Sequence, residues 1–298
     1  MRTRLAITGA SGQLGRLVAE GVLARCAPSD VILATRSPHA LADLAARGAD
    51  VRHADFDEPR SLRDAFVGAE RLLLISATDL QRRVAQHRAA IAAAEAAGVR
   101  RVIYTSGSRP EPPNPAAVAP SHHATEQALA ASGLEWTVLR NSLYADYQAP
   151  EELRAIETGV LEHNRGAGRV AYVARDDCAA AAAAVLLQDG HEGAVYDITG
   201  AVSYDAEALA ALYGELGRKP VALRPIDDAT FVAGLVGTST DGHLRYGAEL
   251  IASFGRAIRE GYLDVRSEAV SKLTGRDPRT LRDVLAAHVG GAAAARRS

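Results

Sequence analysis

Along the first half of the chain, apolar and polar positions alternate between two rhythms. Short runs that are apolar almost throughout predict strands: "RLAIT" from Arg4, "DVILAT" from Asp30, "DVRHA" from Asp50, "RLLLIS" from Arg71, "RVIYTS" from Arg101 and "WTVLRN" from Trp136. Between them lie stretches with helical spacing, at Leu14 to Ala24, Pro38 to Arg47, Pro59 to Val67, Leu80 to Ala97 and Ser121 to Ser132. A strand that is apolar on both sides must be covered on both sides. Strands separated by helices therefore predict an α/β fold, a Rossmann-type doubly wound parallel sheet. Helix punctuation agrees: Asp79 is placed to cap the fourth helix, Gly98 and Gly133 follow the ends of two others, and Ser203 precedes "YDAEALAALYGELG".

After Tyr144 the rhythm changes. A helix from Pro150, a strand "GRVAYV" from Gly168, an Ala-rich helix from Arg175 and a strand "AVYDIT" from Ala194 lead into a mostly helical remainder with one extended piece, "PVALRPI" from Pro220. The expected organisation is a dinucleotide-binding domain of residues 1–146, to which 166–202 return. A smaller, mostly helical substrate-binding portion of 147–165 and 203–290 folds over the sheet edge, and 291–298 form a tail. The proline-rich stretch from Arg109 to Pro120 reads as a loop.

The chemistry begins at "ITGASGQLG", where Gly9, Gly12 and Gly15 separate the first strand from the first helix. Glycines in such a turn permit positive φ, close approach of a pyrophosphate to the backbone, and tight helix–strand packing, while the helix N-terminus faces the phosphates. The spacing GxxGxxG is weak by itself and gains its meaning from standing between a strand and a helix. We therefore expect Gly9, Ala10, Ser11, Gly12, Gln13, Leu14 and Gly15 to hold a dinucleotide. At the end of the second strand, where an acid would mark NAD, the chain has "ATRS". Arg36 suits a 2′-phosphate, with Thr35 or Ser37 as hydroxyl donors, and this points to NADPH. Asp55 and Phe56 are placed to meet the adenine, and Ser76, Ala77 and Thr78 to meet the nicotinamide ribose.

Composition narrows the partners. Thirty-four Lys and Arg against 36 Asp and Glu leave a net charge of -2, with no electrostatic footprint for nucleic acid or an anionic membrane, so the expected partner is a small molecule. Two cysteines, Cys26 and Cys178, far apart and without CxxC spacing, argue against a disulfide framework or a thiolate metal site. No apolar run reaches the length of a membrane span or a signal peptide, and the expected location is the cytoplasm.

One expected pair is missing. Short-chain reductases commonly carry Tyr-x-x-x-Lys, in which the lysine lowers the tyrosine pKa. This chain has two lysines, Lys219 and Lys272, and the residues four before them are Glu215 and Glu268. Ser106 ends the fifth strand, and the next helix brings His122 and Glu126 to one face at i and i+4. His122 is a candidate to donate a proton, hold the nicotinamide ribose or cap its helix. His122 and its neighbour His123 diverge on a helix with no third ligand, so no metal site is expected.

Together "AITGASGQLG", "LLLIS", "QHRAAIAAAEAAGV", "YTS", the His122–Thr125–Glu126 grouping, "LRNSLY" from Leu139, the Arg-Asp-Asp segment from Arg175 with Ala179, and "GHEGAVYDITG" from Gly190 resemble the NmrA-like branch of atypical short-chain dehydrogenases. Within that branch the likeness is greatest to bacterial NADPH-dependent quinone oxidoreductases. It implies an NADPH-binding Rossmann domain with the substrate in a cleft against the C-terminal portion, and a homodimer is compatible with it. Cofactor contacts are implied at Gly9 to Leu14, Arg36, Ser76 to Thr78 and Arg140 to Tyr144, that is Arg140, Asn141, Ser142, Leu143 and Tyr144. Where the relatives read Asn-Gly-Trp-Tyr, this chain has Asn141, Ser142, Leu143 and Tyr144, so an aromatic is replaced, and residues 230–262 depart from the pattern. The expected activity is hydride transfer to a quinone or related conjugated carbonyl near Asn141 and Tyr144, with Ser106 at the site and the proton from His122 or solvent. Two alternatives are a tailoring reductase of a polycyclic ketone or enone and a redox sensor that binds NADP(H) without turnover.

Overall fold

In a computed structural model, the chain is described from residue 3 to residue 295. The six apolar runs become strands β1 (Leu5–Ile7), β2 (Val31–Thr35), β3 (Asp50–His53), β4 (Arg71–Leu74), β5 (Arg101–Gly107) and β6 (Glu135–Asn141). With β8 (Ala194–Ile198) they form one sheet in the order β3-β2-β1-β4-β5-β6-β8, every neighbouring pair parallel. Parallel connections need crossovers, supplied by α1 (Gln13–Leu23), α2 (Ala42–Ala46), α3 (Pro59–Phe66), α4 (Arg83–Ala96), α5 (Ala119–Ala130) and α7 (Arg175–Leu187).

The two-residue period of the strands sorts their side chains between two cores. Leu5, Ile7, Leu33, Leu73 and Ile103 face one side with Val18 and Val22 of α1 and the alanines of α7. Ala6, Ile32, Leu72, Leu74 and Tyr104 face the other with Phe66 of α3, Ile91 of α4 and Leu129 of α5. A third core lies beyond the sheet, where Leu161, Tyr172, Leu209, Tyr213, Ile258 and Leu285 meet. It gathers α6 (Ala149–Thr158), α8 (Ala206–Gly217), α10 (Gly242–Arg259) and α12 (Leu281–Ala295). α9 (Asp228–Val236) and α11 (Ala269–Thr274) complete the α-helices of the described residues.

The structure corrects three local expectations. "GRVAYV" is not a strand: the N–H groups of Val170, Ala171 and Val173 donate to Tyr204, Leu263 and Leu143, three separate segments, so no ladder can propagate although the stretch is buried. Instead β7 (Val160–His163), for which the sequence predicted no strand, pairs in parallel with β9 (Ala222–Pro225). The cap of α8 is Asp205, accepting from Ala208 N at 2.8 Å, while the Ser203 hydroxyl donates to Asp264. Asp79 caps the turn before α4, accepting from the N–H groups of Gln81 and Arg82, and the helix itself starts at Arg83.

Candidate active site

The strand order reverses between β1 and β4, and in open sheets of this kind ligands bind at the carboxyl ends of the strands at such a reversal. Gly9 follows β1 with φ +59°. Its carbonyl accepts from Gly12 N at 2.8 Å, which closes the turn. Gly12 is the N-cap of α1, and no side chain caps the helix, so its first N–H groups are left for an anion. A Cβ on Gly15 would collide with the Gly9 carbonyl oxygen and sit 2.9 Å from Ala10 Cα, so only glycine lets α1 approach the strand.

The Ser11 hydroxyl bonds Thr35 Oγ1 at 2.7 Å, which also accepts from Ser37 N, so Thr35 is engaged within the protein. Arg36 beside it is exposed and forms no ion pair with any described residue. After β3, Asp55 Oδ1 accepts from Asp57 N at 3.0 Å, and Phe56 lies edge-on to His87 with ring centroids 6.1 Å apart.

A cavity of about 200 Å³ opens at the ends of β4, β5 and β6, under α10 and the third core. Ser76, Ser106, His122, Asn141, Ser142, Leu143 and Tyr144 all line it, so the structure brings together seven residues selected from the sequence. Ser76 N is held by Thr105 Oγ1 and Ile75 N by Thr8 Oγ1, which ties this loop to the β1 turn. Three buried oxygens in the wall, Ser108 Oγ, Asn141 Oδ1 and Ser142 Oγ, have no partner among the described residues. Buried polar atoms are normally satisfied, so their position fits a polar ligand.

The cavity's donors are more committed than their residue types suggest. Ser106 donates to Glu126 at 2.6 Å, and Arg140 clasps the same carboxylate through Nε and Nη2 while also reaching Glu111. Ser106 thus spends its hydrogen on Glu126, and the Arg140 side chain is occupied by two acids. Asn141 Nδ2 donates to the Tyr144 hydroxyl at 3.1 Å, and burial raises the pKa of that phenol. The Arg175 guanidinium stacks 5.4 Å from the Tyr144 ring centroid and 5.1 Å from that of Tyr147.

His122 and His87 are the titratable rings nearest the chemistry. Ala77 N donates to His87 Nε2 at 2.9 Å, which puts the ring proton on Nδ1 facing Thr125. Burial, then Arg83, lower His87 to about 3. His122 Nε2 faces Arg83 Nη1 at 3.4 Å and Nδ1 lies 2.7 Å from the Tyr104 hydroxyl. Burial, Arg83 and His87 hold His122 well below its ordinary value, so at neutral pH it is a neutral ring. An imidazolium proton donor titrating near 6.5 is not what this environment provides.

Arg83, His87, Ser108 and Arg175 were given no role from the sequence, although His87 and Arg175 lie within stretches that carry the resemblance. The signal for two of them was available. Arg83, Gln86 and His87 precede Ala90, Ile91 and Ala94 at helical spacing, so a polar stripe continues the buried face of α4. No group of three His, Cys, Asp or Glu suited to a metal exists among the described residues. No helix among them is long and apolar enough to cross a membrane.

Comparison with known proteins shows what the chain is similar to. An NAD(P)H-binding family model matches residues 9–189. Quinone oxidoreductase 2 of Escherichia coli is 37% identical over 279 residues, 94% of this chain and 96% of that protein. An NmrA-like family domain-containing oxidoreductase of Aspergillus flavus is 30% identical over 95% of this chain and 94% of its own length. The crystal structure of the Escherichia coli NADPH-dependent quinone oxidoreductase complexed with NADPH superposes with a TM-score of 0.90 at 36% identity, covering 95% of this chain and 99% of that one.

Proposed function

The chain belongs to the NmrA-like family of NAD(P)H-binding oxidoreductases, and on that premise we propose that it is an NADPH-dependent reductase of quinones or related conjugated carbonyls. The observation that carries this reading is the cavity of about 200 Å³ lined by Ser76, His122, Asn141 and Tyr144, where Ser76 follows Ile75, whose N–H donates to Thr8 at the end of β1. A protein that only sensed the cofactor would need the dinucleotide crevice and no such cavity.

The residues present fit the cofactor. The uncapped α1 N-terminus would hold the diphosphate, the free Arg36 a 2′-phosphate, and the loop of Ser76 to Thr78 the ribose. The orphaned oxygens of Asn141 and Ser142 would accept from a carboxamide. When bound, NADPH supplies the hydride.

A quinone accepts hydride readily and its reduced oxygen is a stabilised phenolate, so assistance from a tuned tyrosine is dispensable. That matches the side chains. Lys219 bonds the Glu157 carbonyl and Lys272 pairs with Glu268, and neither lines the cavity. With His122 neutral, and Tyr104 and Tyr144 raised by burial, solvent is the proton source in this reading.

The test is NADPH oxidation by purified protein with 1,4-benzoquinone, 1,4-naphthoquinone or a polycyclic ketone. Turnover with the quinones is expected. Turnover with the ketone alone would favour a tailoring reductase, and NADPH binding without oxidation by any of the three would favour a sensor.

A further inference from the structure

Four arginines of the described residues are buried, and three of them have an acid. Arg71 pairs with Asp189, Arg101 with Glu135 and Glu192, and Arg165 with Glu151. Arg83 is 6% exposed and has no carboxylate within ion-pair distance among the described residues. Its guanidinium donates only to neutral acceptors: Nε to the Ala77 carbonyl at 2.6 Å, and Nη1 to Ser121 Oγ at 3.3 Å and His122 Nε2 at 3.4 Å. The two N–H groups of Nη2 bond no described residue, and Arg83 is part of the cavity wall.

Surrounding groups do not cancel this charge. His87 on the same helix and His122 on α5 are neutral, and burial keeps Tyr104 on β5 protonated. Tyr246 of α10 is an exposed phenol, and Asp79 is bound at the surface by Arg82. A cation buried without a counterion weakens the fold, whereas an anion brought to it in a low-dielectric cavity is strongly favoured. Held from one side by the loop after β4 and from the other by α5, the guanidinium is fixed before any ligand arrives.

We propose that Arg83 forms an oxyanion subsite, accepting the negative charge that appears on the acceptor's oxygen when hydride adds to its conjugated system. The inference rests on the reductase reading above. In the step it serves, a C–H bond of the reduced dinucleotide would break, the hydrogen with its electron pair would form a new bond to the acceptor, and the carbonyl π pair would move onto oxygen. The acceptor is reduced by two electrons, the dinucleotide is oxidised, and a water proton later neutralises the oxygen. Arg83 would thus stabilise by permanent charge what a tyrosine–lysine pair stabilises by proton donation. The acceptors it suits are those whose reduced form is a phenolate or enolate.

The test uses 4-nitrophenol, whose phenolate absorbs visible light, bound to the NADP⁺-loaded protein at a pH where the free phenol is mostly neutral. The wild-type protein is expected to bind it as phenolate, lowering its apparent pKa by about one unit, a tenfold change. Arg83→Met should abolish the shift, and Arg83→Lys, which keeps the charge with fewer donors, should retain part of it. NADP⁺ affinity should change less than about twofold in both, and circular dichroism checks their fold. A bound phenol that stays neutral in the wild type overturns the proposal, as does one that ionises equally in Arg83→Met. A loss of NADP⁺ affinity with the shift intact also overturns it, because the residue would then serve the cofactor. Quinone turnover is scored separately. A phenolate shift without turnover overturns the quinone reading and leaves the subsite standing, while turnover without the shift overturns the subsite alone.

Discussion

Arg36 stands exposed at the end of β2 with no acid to neutralise it, beside a Thr35 hydroxyl already engaged by Ser11 and Ser37. A charge-assisted hydrogen bond to a 2′-phosphate contributes about 1.5 to 3 kcal/mol. Arg36→Ala should therefore weaken NADPH binding by roughly 10- to 150-fold and leave NADH almost unchanged, as measured by fluorescence titration. Equal losses for the two cofactors would show that the guanidinium does not read the phosphate. The place of Arg36 at the end of β2 was legible from the sequence, because the strand before it is written in a local apolar run. The positions of Ser106 and Arg140 were legible as well, but each is bonded to Glu126, a helix residue whose partners no local pattern reveals.

At the scale of elements, the β1–α1 unit depends on how closely helix and strand approach. A methyl group on Gly15 would meet the Gly9 carbonyl and Ala10 Cα, both main-chain atoms that cannot move aside alone. Gly15→Ala should cost about 1 to 3 kcal/mol in urea unfolding, the range for overpacking. It should also reduce NADPH affinity by displacing the uncapped helix N-terminus. A change within about 0.5 kcal/mol would mean that the seam can open without strain. This unit was readable because its glycines are neighbours in sequence. β7 was not readable: it is four residues long, and its partner β9 lies about 60 residues downstream, so pairing rather than propensity makes it a strand.

The whole molecule decides the cavity and the response to acid. Leu143 lines the cavity and packs against the third core, so Leu143→Trp should fill the space from its far side. The expected outcome is a shift of at least about tenfold in relative kcat/KM from naphthoquinone toward benzoquinone, with NADPH affinity within about twofold. An unchanged preference would place the acceptor elsewhere.

For acid, His87 is lowered to about 3 and His122 well below its ordinary value, against about 6.5 in an unfolded chain. Above that pH both states are neutral and bind equal numbers of protons. Below it the unfolded chain takes up protons that the fold refuses, so stability should fall by about 1.4 kcal/mol per pH unit for each ring. For His87 the loss continues until the folded ring protonates near 3. Urea unfolding at several pH values between about 7 and 5 measures this slope, which His87→Gln should reduce by one proton's share. A slope identical to wild type in that variant would remove His87 from the account.

The sequence by itself determined the alternation of apolar strands with helices, the glycine turn at Gly9 to Gly15 and the cation at Arg36. Each is written in residues adjacent along the chain, and local periodicity and backbone sterics act over that range. The tertiary structure alone decided that Arg83 meets His122, 39 positions away, that Glu126 takes the Ser106 hydrogen, and that three oxygens are left unpaired around one cavity. Those meetings arise where α4 and α5 pack side by side on the sheet and the third core closes over β5 and β6. Burial there holds His122 neutral and leaves Arg83 without a carboxylate among the described residues, so the charge state of the site is a property of the assembled fold.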